Sequence, residues 1–139
     1  LRTITQEKTV DLRVLQGVVD AEIQQGMINV DESLKRLVVL SKEHDFSVSI
    51  VALPEPRQSR VDFPDEAYQS RLAEYAERNT IDFFDLLPTL KFFASDQHKR
   101  IVFPFDGHHN AKVQQEFANK IADYLADNQV DCKNKQALN

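Results

Sequence analysis

Ile101-Val102-Phe103-Pro104-Phe105-Asp106-Gly107-His108-His109-Asn110 runs directly into an amphipathic helical pattern from Ala111 to about Asp127. An apolar run, a turn bearing one carboxylate and two imidazoles, and a helix start follow one another here. This order presents ionisable side chains to a cleft. Three chemistries fit it: an acid–base pair, a metal site, or a polar turn. Asn110 suits an N-cap, and Val113, Phe117, Ile121, Tyr124 and Leu125 recur at i, i+4, i+8, i+11 and i+12, the apolar face of a helix.

Upstream, Phe46-Ser47-Val48-Ser49-Ile50-Val51-Ala52-Leu53 starts by alternating and ends as a continuous apolar run, which suits a strand covered on both faces in a parallel sheet. Pro54 and Pro56 stop its ladder. Before it, the spacing predicts helices over about 11–25, ending near Gly26, and over about 30–44, opened by a capping-box spacing from Asn29 to Glu32 and faced by Leu34, Leu37, Val38 and Leu40. After it, Asp62, Pro64 and Asp65 suit a helix start, and Tyr68, Leu72, Tyr75 and Ala76 form a stripe reaching about Asn79. A short strand at Ile81-Asp82-Phe83-Phe84 follows, then a helix over 86–93 with Asp85 as its expected N-cap. Alternating helices and strands predict an α/β domain over 1–127 with parallel strands, followed by a polar tail over 128–139.

At 139 residues the chain holds one domain's worth of material. A net charge of -5, with no Lys/Arg cluster longer than two, disfavours nucleic acid as a partner, since phosphate binding needs a basic face. No apolar run approaches the ~18 residues that span a bilayer, so no membrane span is expected. Cys132 is the single cysteine and forms no internal disulfide, which leaves the compartment open. The three glycines, Gly17, Gly26 and Gly107, exclude a dinucleotide fingerprint, a phosphate loop and a G-x-S-x-G elbow, and no cofactor is expected.

The block Phe103-Pro104-Phe105-Asp106-Gly107-His108-His109-Asn110-Ala111, with Ala118 on the helix after it, resembles the last block of the SGNH (GDSL-like) hydrolases, which often reads D-G-H-W-N before a helix. The order of elements matches as well, over about 30–127. The resemblance implies a three-layer, flavodoxin-like parallel sheet. It also implies a serine ester hydrolase or O-acyltransferase acting on a carboxylic ester or acetylated carbohydrate. His108 would be the general base and Asp106 its orienter. The alternative family spacing, D-x-x-H, selects His109, whereas Asn110 sits at the offset that goes with His108. His109 stands where the family has an aromatic residue, and Val113 where it has Gly. The family's Gly-Asp-Ser block has no counterpart in this chain. The chain is therefore expected to be the C-terminal part of an incomplete domain, with its nucleophile and any export signal outside it and with self-association through exposed apolar surface.

Other readings of the same residues stand beside this one. Asp-Gly is a favoured turn dipeptide. Two adjacent imidazoles rarely bind one ion together, and further ligands would have to come from Asp96 or His98, so no metal is expected. His44 suits a helix C-terminus and His98 a solvated loop. Ser41, Ser47, Ser49, Ser59, Ser70 and Ser95 lack the tight strand-to-helix turn of an exposed nucleophile. Tyr68, Tyr75, Phe83 and Phe84 fit a core better than a cleft. The competing function is a non-catalytic α/β module that binds a partner and keeps the turn as a relic.

Overall fold

A computed structural model of the chain describes residues 10–60, 65–95 and 100–128, and at 10–12 and 106 the backbone alone. The expectations for Asp62, Pro64, Asp96, His98, Cys132 and the tail beyond Asn128 lie outside the described residues. The chain is mixed α/β, mostly helix, with one small parallel sheet. It divides into two compact units, one within Leu1–Ala52 and Arg60–Asp85, the other within Leu53–Ser59 and Leu86–Asn139.

In the first unit, α1 (Val10–Leu15) ends where Gly17 adopts φ +69°, with Gly17 N–H donating to Val14 O and Val18 N–H to Arg13 O. This is the left-handed stop that glycine supplies without steric cost. A Cβ at Gly17 would also lie 3.0 Å from Ala67 Cβ. The terminating glycine is thus Gly17, where the sequence pattern suggested Gly26. The next helix, α2 (Ala21–His44), starts at Asp20, whose carboxylate accepts from Ile23 N–H at 3.0 Å. That bond, aided by the Arg13 guanidinium, holds the Asp20 carboxyl below its usual range against the opposing effect of burial. Arg13 also reaches Glu22 at 2.8 Å. With this cap in place, α2 continues through Gly26 and Asn29, and the capping-box spacing falls inside the helix. His44 lies in its last turn, where a cation is favoured.

β1 (Ser49–Ala52) pairs in parallel with β2 (Asp82–Asp85), setting Ile50 beside Phe83 and Val51 beside Phe84. α3 (Ala67–Asn79) forms the crossover between them and carries the core residues Tyr75 and Ala76, which pack with Ile81. Leu34, Val38, Val48, Ile50 and Phe83 close over that cluster. Tyr75 and Phe83 are therefore core residues, and Tyr68 is half-buried, its phenol raised by burial and then by the Asp85 charge. Of the apolar face expected on α2, Leu34 and Val38 turn inward while Leu37 and Leu40 remain exposed.

The second unit starts at the corner Leu53-Pro54-Glu55 and a short 3-10 turn, Pro56–Ser59. Gln58 there is wholly buried, and its side-chain oxygen accepts from Glu55 N–H at 2.9 Å. α4 (Leu87–Ala94) packs against that turn and against α5 (Ala111–Asp127). Leu86, not Asp85, holds the cap position of α4 and makes no side-chain cap bond, Pro88 in the first turn having no N–H to satisfy. Leu86, Leu87, Leu90, Val113 and Phe117 are buried. Burial fades along α5: Ile121 and Tyr124 are half-buried and Leu125 is exposed.

The apolar run Ile101-Val102-Phe103 joins no parallel pairing among the described residues. β3 (Val102–Phe103) instead pairs antiparallel with β4 (Asp106–His109), because Pro104-Phe105 turns the chain back within two residues.

Two substitutions test this packing. Gly26 is exposed in mid-helix with nothing within 4 Å of an added Cβ, so Gly26→Ala should stabilise by about 0.5–1 kcal/mol in urea unfolding. Leu90→Ala, which empties a fully buried position, should destabilise by about 2–5 kcal/mol in the same measurement.

Candidate active site

The imidazole-bearing block is built by its hairpin and held by its helix cap. Val102 lies opposite His109 and Phe103 opposite Asp106, so Asp106-Gly107 sits in strand β4 and the reversal falls on Pro104-Phe105. Asn110 N–H extends the pairing to Ile101 O at 2.9 Å. Its side-chain oxygen then accepts from the N–H groups of Lys112 (3.1 Å) and Val113 (3.2 Å), the N-cap predicted from sequence. The amide nitrogen of the same side chain donates to Arg100 O. Gln114 Nε2 donates to His109 O at 2.9 Å, a second tie from α5 to the strand.

The two imidazoles meet different surroundings. His109 is half-buried and stands edge-on to Phe117, ring centroids 5.2 Å apart and planes at 78°. Its Nε2 is buried with no hydrogen-bond partner among the described residues. Burial lowers its pKa below the ordinary imidazole value; the Glu55 carboxylate opposes that shift, and His108 adds slightly to it. His108 is exposed. The Asp106 side chain, the expected orienter, lies outside the described residues.

Two clefts open on these imidazoles. The first, about 420 Å³, runs between the Leu53-Pro54-Glu55-Pro56 corner and Gly107, His108 and His109. The second, about 400 Å³, lies between Leu53, the two histidines and the α5 side chains Gln114, Phe117, Ala118 and Ile121. Among the described residues no serine, threonine or cysteine lines either cleft. The hydroxyls of Ser41, Ser59 and Ser95 donate to the carbonyls of Val38, Pro56 and Phe92, local bonds of a structural kind. Ser49 lies in β1 and Ser70 in α3. No three His, Cys, Asp or Glu side chains among the described residues gather closely enough to hold a metal ion. No helix among them is long and apolar enough to cross a membrane.

Sequence reasoning missed Glu55 and Phe117 as neighbours of the imidazoles. Glu55 lies about fifty residues from them in the chain, and the pattern placed Phe117 only on the core face of α5.

The environment of His109 gives a titration prediction. Its folded pKa is depressed, so its contribution to stability is present above the ordinary imidazole value near 6.5 and is lost as pH falls from there through the lower folded value. Histidine NMR titration should find His109 below that value, and Phe117→Ala, which hydrates the ring, should move it upward. Comparison with protein-family models, with curated proteins and with solved structures finds no match for this chain.

Proposed function

We propose that the Asp106–Asn110 block is the acid–base part of an SGNH-like site for ester hydrolysis or O-acyl transfer, acting on a carboxylic ester or an acetylated carbohydrate. The observation that carries this reading is the unequal placement of the two histidines. His109 packs on Phe117 as an aromatic residue would, and His108 is left exposed at the mouth of both clefts. That division favours the D-G-H-x-N register, in which the third residue of the block does the chemistry and the fourth is packing.

In this reading His108 accepts the proton of a serine hydroxyl as the oxygen attacks the ester carbonyl, then returns it to the departing alkoxide. A water or acceptor alcohol repeats the sequence on the acyl-enzyme. Asp106 orients the imidazole and stabilises its cationic form. The serine and the oxyanion donors come from residues outside the two clefts.

A second reading, a non-catalytic module that retains the block as a relic, draws on the lack of a nucleophile along the described cleft walls. One assay separates the two. In the native protein, His108→Ala should lower kcat/KM for p-nitrophenyl acetate by about 10²–10⁴-fold, the usual worth of a positioned general base, while His109→Phe should keep most of the rate. Equal rates for wild type and His108→Ala would overturn the role of His108, and the absence of turnover by the wild type would favour the binding module.

A further inference from the structure

The second cleft differs from the first in its walls. Leu53, exposed although apolar, faces the side chains that α5 presents at i, i+3, i+4 and i+7: Gln114, Phe117, Ala118 and Ile121. Only the end occupied by His108, His109 and Gln114 is polar. From Gln114 to Ile121 the helix rises about 10 Å, the length of an extended hydrocarbon chain of roughly eight carbons. Its volume of about 400 Å³ falls in the range of small-molecule sites, which are mostly apolar with a few polar groups at one end. Ala118 has the smallest side chain along the groove and is itself exposed, so nothing of its own fills the space above it. Among the described residues the groove is lined by no carboxylate, lysine or arginine, which suits an uncharged occupant.

We propose that this groove is the acyl-chain subsite, taking the medium-length hydrocarbon chain of a neutral ester and setting its carbonyl at His108. The proposal rests on the hydrolase reading for the word acyl, but the groove and its neutral, apolar occupant stand on their own geometry. Ala118 then decides chain length: a small side chain leaves the groove open, and a large one closes it.

The test has two arms, both on the native protein. In the first, the ratio of kcat/KM for p-nitrophenyl octanoate to that for the acetate is measured in wild type, Ala118→Trp and Lys120→Trp. The account expects the ratio to fall at least about ten-fold in Ala118→Trp, a small part of what closing a hydrophobic pocket to several methylenes can impose. It expects no change in Lys120→Trp, whose exposed position lies outside the groove. An unchanged ratio in Ala118→Trp overturns the assignment. In the second arm, 2-decanone, a neutral and non-hydrolysable ester analogue, is titrated while the Ala118 and Ile121 methyl resonances are followed. Saturable shifts that acetone does not produce support the groove, and their absence overturns it. Ketone shifts without turnover of either ester would overturn the hydrolase reading and leave the groove standing as a binding site.

Discussion

Asn110 serves both sides of the joint between hairpin and helix: its N–H reaches Ile101 O, its Oδ1 takes the first free N–H groups of α5, and its Nδ2 reaches Arg100 O. The first turn of a helix leaves donors without partners, and a hairpin end frays unless something holds it. One side chain meets both needs. The direction of α5 then brings Phe117 to His109. The imidazoles therefore sit on a strand that the same residue joins to the helix. That is what a site needs if its geometry is to be reproducible.

The parts of this fold legible in sequence are those decided locally. Asn110 as a cap, the 113/117/121 face, β2 beside its helix, and a strand within 46–53, observed at Ser49–Ala52, all follow from neighbours within a turn or two. The errors came where local signals compete. Gly17 and Gly26 both look like helix stops, and the choice between them was settled by Asp20, which caps α2 so well that the helix runs through Gly26. An apolar Ile101-Val102-Phe103 reads equally as a parallel strand or as one arm of a hairpin, and the Pro104-Phe105 reversal decided for the hairpin. The cleft itself was illegible. Leu53 and Glu55 reach the imidazoles from about fifty residues away, and no periodicity records a contact of that separation.

Adjacent histidines suggest a pair acting together, yet their surroundings differ. Burial lowers the pKa of His109, which packs edge-on against Phe117 and lines both clefts. His108 is exposed and lines both clefts. In the proposed reading the division is functional: one imidazole shapes the site and the other moves the proton. The apolar groove along α5 extends the same logic from chemistry to selectivity, since the helix anchored by Asn110 also supplies the surface against which a substrate tail would lie.

The central claim is that His108 activates a serine for acyl transfer. The most direct measurement is labelling of the native protein with a fluorophosphonate, which reacts covalently with activated serines, followed by mass-spectrometric mapping of the modified residue. The account predicts stoichiometric labelling of one serine, lost in His108→Ala and retained in His109→Phe. A native protein with no labelled serine, or one labelled equally well without His108, would contradict it.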